Sequence, residues 1–222
     1  MNPQLNLADK QLILFDLDGT LVDSARDLYR AMNLSLDALG RALVTEAQIR
    51  LWVGKGASQL CYNVLAHQDE VVNPEQHHQL LDVFLDIYQK NVCVDSVVYE
   101  GVLAFLDACQ QQGKHLACVT NKPYQPAIAL LQALKIDQYF TLVLGGDSLA
   151  HRKPHPQPLL HAMRHFNQNV EHTLMIGDSR NDVEAARAAG IDCIVLSYGY
   201  NHGEDIQACQ PQWVIDSLAE LV

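Results

Sequence analysis

A four-residue apolar run, Leu12-Ile13-Leu14-Phe15, stops abruptly at Asp16-Leu17-Asp18-Gly19-Thr20. A run so short, β-compatible and followed at once by a breaker reads as a buried strand. Gly19 permits a tight turn at its end without a Cβ clash. In a parallel α/β sheet the carboxyl ends of the strands are where ligands bind. Two acids at such an end repel each other unless a cation or a proton neutralises them. A hard divalent cation such as Mg²⁺ suits carboxylate oxygens and is completed by water and substrate phosphate. One carboxylate can then attack phosphorus while its neighbour moves protons.

The pattern after this strand is helical for about seventy residues. Ser24 is placed to cap a helix carrying Leu28, Met32, Leu36 and Leu39 at helical spacing until Gly40. A shorter helix is expected over 46–51, another from Ala57 to His67 beyond a Gly54-Lys55-Gly56 loop, and a longer one from Asn73-Pro74 through Tyr88. No convincing strand interrupts them, which departs from simple βαβ alternation. From about residue 96 the alternation returns, with strands expected at 115–120, 141–144, 173–177, 193–196 and 213–215 and helices between them. The chain therefore reads as α/β: a mostly parallel-sheet core built from residues 1–22 and 96–222, with residues 23–95 as an inserted helical domain.

Three more strand ends carry polar clusters. Val119-Thr120-Asn121-Lys122 precedes a helix started by Pro123, and a hydroxyl with helix-start amides can hold a phosphate oxygen; Thr-Asn before Pro is also good turn chemistry. In His151-Arg152-Lys153-Pro154, Pro154 biases Lys153 toward an extended backbone, so that its ammonium is presented from a loop, where it can neutralise developing charge. Gly177-Asp178-Ser179-Arg180-Asn181-Asp182 opens a helix, with Asp178 as a further metal ligand and Asp182, one turn on, holding Lys153 or a metal-bound water. His161 and His165 stand at a zinc-compatible spacing but lack a third ligand nearby, so a helix face is expected there.

Taken in order, Asp-x-Asp-Gly-Thr, Thr-Asn-Lys, Lys-Pro and Gly-Asp-x-x-x-Asp resemble the four-motif series of the haloacid dehalogenase-like hydrolases, over nearly the whole chain. That resemblance implies a Rossmann-like core with a helical cap inserted after the first motif. It implies Asp16 as nucleophile, Asp18 as general acid/base, and Lys153, Thr120 and Asn121 on the transferring phosphoryl group. It further implies Mg²⁺ held by Asp16, the Asp18 main-chain carbonyl and Asp178, with Thr20 and Asp182 supporting that set. Within the family the chain is most similar to bacterial phosphoglycolate phosphatases, through Phe15–Ser24, Trp52-Val53-Gly54-Lys55-Gly56-Ala57, Tyr99-Glu100-Gly101-Val102 and Gly145-Gly146-Asp147-Ser148. The expected substrate is 2-phosphoglycolate, with Gly54 and Lys55 of the cap loop offered to its carboxylate. Sugar phosphates, N-acetylmuramate 6-phosphate, pyrophosphate, phosphosugar mutation and pure phosphometabolite binding are the alternatives. A Schiff-base hydrolase using Lys55 is a more remote one.

Composition narrows the partners. A formal charge of −11 with no basic face argues against nucleic acid and anionic membrane surfaces. The six cysteines show no close pairing and suit small buried apolar residues in a reducing compartment. The polar first ten residues carry no signal-like core, and no apolar run is long enough to cross a bilayer. A cytoplasmic monomer or homodimer acting on a small phosphorylated metabolite is expected.

Overall fold

The protein's structure, a computed structural model, describes residues 7–222. The first part of the polar N-terminal segment, residues 1–6, lies outside the described residues. Six strands form one parallel sheet in the order β5-β4-β1-β6-β7-β8, with β1 Leu12–Phe15, β4 His115–Val119, β5 Leu142–Leu144, β6 Thr173–Gly177, β7 Asp192–Leu196 and β8 Trp213–Ile215. The expected strands are all present and differ only at their ends. Helices α5 (Val102–Gln111), α6 (Tyr124–Ala133), α7 (Gln157–His165) and α8 (Arg180–Ala189) connect them, which gives a Rossmann-like α/β core.

The pleat sorts the apolar residues of β1 to two sides. Ile13 and Phe15 join a core with Phe105 of α5 and Leu130 of α6, whereas Leu12 and Leu14 join a second core with Leu159 of α7 and Val183 of α8. Both faces of β1 are buried, which is why its sequence is apolar throughout rather than alternating. The register fixes the heights of the functional positions. Phe15 lies opposite Cys118 on β4 and Ile176 on β6, so the residues that follow on three adjacent strands emerge together at one edge.

Four helices occupy the chain after the first strand: α1 Ala25–Ala38, α2 Glu46–Trp52, α3 Ala57–Gln68 and α4 Pro74–Lys90. They pack on one another, chiefly α1 on α4 and α3 on α4, and α4 also meets α6 of the core. Thr45 closes a capping box at α2, and Asn73 caps α4 ahead of Pro74. Within the described residues no helix is long and apolar enough to cross a membrane.

Two features differ from expectation. Val22–Asp23 and Val97–Val98 pair antiparallel as a small ribbon, β2 with β3, where the chain leaves and re-enters the core; two-residue strands are too short to show a period. Ser24 sits at the start of α1 but makes no side-chain cap there. Its hydroxyl donates to Asp18 instead, because the turn after β1 brings that carboxylate within reach.

Candidate active site

Asp16 follows β1 and Asp178 follows β6, while Asp182 lies in the first turn of α8. All three are buried, and each offers a carboxylate oxygen within 4.8 Å of the others. Lys153 Nζ lies 3.0 Å from Asp16 Oδ1 and 2.7 Å from Asp182 Oδ1. The Leu17 amide also donates to Asp16 Oδ1, so Oδ2 is the oxygen that these groups leave open.

Asp182 is fixed by the helix it begins. Its Oδ2 accepts from the Ser179 amide at 3.1 Å, the Ser179 hydroxyl at 2.9 Å and the Asp178 amide at 3.3 Å. Asp178 is held from two sides, by the Thr20 hydroxyl on Oδ1 at 2.9 Å and the Tyr200 amide on Oδ2 at 2.6 Å. Gly19 and Gly199 let this happen: a Cβ on Gly19 would lie 2.3 Å from Asp178 Oδ2, and one on Gly199 would lie 2.1 Å from Asp178 Cβ. Gly19 also has φ +86°, a left-handed conformation that completes the turn after Asp18.

Three carboxylates face one ammonium here, and burial together with this crowding shows in the protonation of Asp16 and Asp178. Burial pushes the Asp16 carboxyl up to about 6, with Lys153 opposing the rise and Asp182 adding to it. Burial, followed by the charges of Asp16 and Asp182, raises Asp178 well above the usual carboxylate range. Burial disfavours the Lys153 ammonium, but Asp16 and Asp182 outweigh that and hold it charged. An all-oxygen donor set with surplus negative charge fits a hard divalent cation, which would relieve the crowding.

Asp18 faces a different environment. Lys122 Nζ lies 2.9 Å from its Oδ1 and 3.1 Å from its Oδ2, and Ser24 donates to Oδ1. Lys122 also reaches the Tyr88 hydroxyl on α4, at 2.7 Å. The two motif acids thus serve separate networks, one with Lys153 and one with Lys122, and both line a single pocket with Thr120 and Asn121. Leu28, Leu60, Phe84 and Tyr88 of the inserted helices form its apolar side.

Asn121 donates to the Lys153 carbonyl at 3.0 Å and to the Gly54 carbonyl at 3.0 Å, and Asn181 donates to the same Gly54 carbonyl at 3.2 Å. The Gly54–Gly56 loop is thereby pinned over the site. Among the described residues, the buried Asn121 Oδ1 has no hydrogen-bond partner. The Thr120 hydroxyl accepts from the Lys122 amide at 3.2 Å. Gly54 and Gly56 line the pocket, but Lys55 is exposed and is absent from the lining; its charge acts instead on His202, which burial and then Lys55 hold low.

Lys122, Tyr88 and Tyr200 join these networks although the sequence alone assigns them no place there. Lys122 carried a signal, a cation directly after Thr120-Asn121 at a strand end. Tyr88 read as one more apolar position of a helix, and Tyr200 sits in a loop with no motif. Tyr200 links distant parts of the site: its hydroxyl donates to Asp23 and accepts from the Ala25 amide at 3.3 Å, and Arg50 of α2 reaches Asp23 at 3.1 Å.

A family model described as Haloacid dehalogenase-like hydrolase matches residues 13–196. A phosphoglycolate phosphatase from Colwellia psychrerythraea is 44% identical over 221 residues, covering 98% of each chain. One from Nitrosococcus oceani is 45% identical over 216 residues, covering 97% of this chain and 96% of the relative. Among solved structures, that of a predicted phosphoglycolate phosphatase from Haemophilus somnus superposes with a TM-score of 0.91 at 35% identity, over 96% of each chain.

Proposed function

The chain belongs to the haloacid dehalogenase-like hydrolase family and is a phosphomonoester hydrolase, and we propose that it hydrolyses 2-phosphoglycolate to glycolate and phosphate through an aspartyl-phosphate on Asp16. The observation that carries this reading is the division of labour between Asp16 and Asp18, which line one pocket but sit in separate charge networks. Two acids with one task would not need two environments.

In the first half-reaction Asp16 Oδ2 attacks phosphorus. The bond from phosphorus to the glycolate oxygen breaks, and Asp18 gives its proton to that departing oxygen. In the second, Asp18 takes a proton from a water that attacks the aspartyl-phosphate, and the phosphorus–Oδ2 bond breaks to release phosphate. Thr120 through its hydroxyl, Asn121 through its main-chain amide and Lys153 through its ammonium stabilise the equatorial oxygens as charge builds, the Asn121 side chain being already engaged with the Gly54 and Lys153 carbonyls. Asp16, Asp178 and the Asp18 main-chain carbonyl would hold Mg²⁺, which supplies charge neutralisation between the attacking carboxylate and the phosphoryl group. Thr20 and Asp182 orient those acids through Asp178 and Lys153.

The inserted helices act as a cap over residues 16–18 and 120–122, and the pinned Gly54 loop keeps bulk water from the first half-reaction. The six unpaired cysteines, five of them buried, suit a reducing compartment, and we read the protein as cytoplasmic.

Phosphate release with Mg²⁺ tests the reading against 2-phosphoglycolate, sugar phosphates, a nucleotide, pyrophosphate and N-acetylmuramate 6-phosphate, with Asp16→Asn as control. Preference for 2-phosphoglycolate that the substitution abolishes is the expected result. Release from another member keeps the chemistry and replaces the substrate. Turnover only with a sugar bisphosphate present would point to a mutase.

A further inference from the structure

The proposed substrate carries two anionic groups, and the acids and cations described above account for only one of them. Lys153 lies between Asp16 and Asp182 on the phosphoryl side. Lys55 is exposed and absent from the pocket. Lys122 is the cation in the pocket lining, and it is buried.

Its surroundings are unusual for a structural lysine. Its three N–H donors reach two Asp18 oxygens and the Tyr88 hydroxyl, and its ammonium also lies 4.6 Å from the centre of the Tyr88 ring. Burial pushes the Tyr88 phenol up to about 12, so Tyr88 is a neutral neighbour and Asp18 is the formal countercharge at contact. Asp18 does not depend on Lys122 alone, since Ser24 donates to its Oδ1 from the other side. A donor of Lys122 can turn to another anion while Asp18 keeps a partner.

Distance then selects the anion. A leaving oxygen protonated by Asp18 must sit within hydrogen-bond reach of that carboxylate. A carboxylate one carbon beyond that oxygen falls beside whatever else touches Asp18, and Lys122 Nζ is 2.9 Å from Asp18 Oδ1. A longer or bulkier leaving group runs past the ammonium into the Phe84–Tyr88 wall, where the rings stack at 5.6 Å.

We propose that Lys122 is a specificity-determining residue of this enzyme, binding the carboxylate of a two-carbon leaving group against the Tyr88 wall. The inference rests on the substrate reading above and names the residue that enforces it. It also replaces Lys55 as the partner of the substrate carboxylate.

The test compares 2-phosphoglycolate with 2-hydroxyethyl phosphate, which keeps the two-carbon chain and replaces the carboxylate by a neutral hydroxymethyl group. The wild type should favour 2-phosphoglycolate in kcat/KM by about 100-fold, as a site built around a charged partner rejects an analogue lacking it. Lys122→Met and the more polar Lys122→Gln should bring that ratio close to one, while Lys122→Arg should keep much of it. Equal losses on both substrates in Lys122→Met and Lys122→Gln would overturn the inference, because Lys122 would then serve Asp18 alone. A wild type without preference would overturn the substrate reading and the inference together. A wild-type preference that survives both substitutions would overturn the inference and leave the substrate reading standing.

Discussion

Lys153 binds Asp182 through Oδ1, the carboxylate oxygen opposite the one that caps helix α8. One acid therefore ties a helix start to the lysine of the candidate site. In Asp182→Asn an amide nitrogen must face either Lys153 or the Ser179 and Asp178 amides, donor against donor. Breaking a buried pair from one side costs about 3–5 kcal/mol. A loss of that size in urea unfolding at neutral pH is expected, with kcat lowered at least 10-fold. Unchanged stability would show that the α8 start does not rely on this carboxylate.

The crowding of Asp16, Asp178 and Asp182 gives metal-free protein a defined pH response. The Asp16 carboxyl is raised from 3.8 to about 6 in the folded state. Its stabilising contribution is complete below about 3.8 and is lost as pH rises through about 6. After chelation the melting temperature should fall between about pH 4 and pH 6. Added Mg²⁺ should flatten the slope, and Asp16→Asn should remove its own share. Melting curves across this range with and without chelator decide the point.

Asp27 on α1 makes the opposite prediction. It accepts from the amides of Val94, Asp95 and Ser96 and from the Ser96 hydroxyl. Burial favours its neutral form, but the Ser96 hydroxyl and those amides outweigh it and hold the carboxyl below its usual range. Its contribution is full above the unfolded value near 4 and is lost as pH falls through the depressed folded value. Asp27→Ala orphans several buried donors and should cost about 3 kcal/mol at pH 7, with the difference from wild type shrinking in strong acid. A constant difference across pH would rule out the carboxylate as its source.

Gly199 and Tyr200 should separate metal binding from stability. Gly199→Ala drives a methyl into Asp178 and should weaken Mg²⁺ activation about 10–100-fold. Tyr200→Phe removes the hydroxyl that donates to Asp23 and accepts from the Ala25 amide but leaves the main-chain amide that holds Asp178, so it should cost about 1–2 kcal/mol of stability with the Mg²⁺ dependence unchanged. Titrating activity with Mg²⁺ in both variants distinguishes the two effects.

Most of the core could be read in the sequence, because each strand is a short apolar run that ends in a breaker and each acid sits at such an end. The inserted helices were legible from apolar spacing and from Asn73-Pro74. Other parts depended on three-dimensional direction. Ser24 looked like a cap, but only the turn at Gly19 shows that its hydroxyl meets Asp18. Lys55 and Lys122 each follow a plausible loop residue, and the packing of α4 against α6 is what buries one while the other stays exposed. Tyr88 is indistinguishable in sequence from Phe84, one helical turn earlier, until its hydroxyl finds Lys122.

The β2–β3 ribbon joins Val22 to Val98 and Asp23 to Val97, so everything between leaves and returns through one doorway only a strand spacing wide. An insertion whose two ends already meet can be lengthened, shortened or exchanged without shifting the register of the six-stranded sheet. The strands that carry Asp16, Thr120 and Asp178 would keep their pairing through any such exchange. The sheet that carries the candidate acids and the helices above it are thus joined at a single seam, residues 22–23 and 97–98, and the helical segment can be exchanged as one unit while Lys122, beyond the end of β4, stays with the sheet.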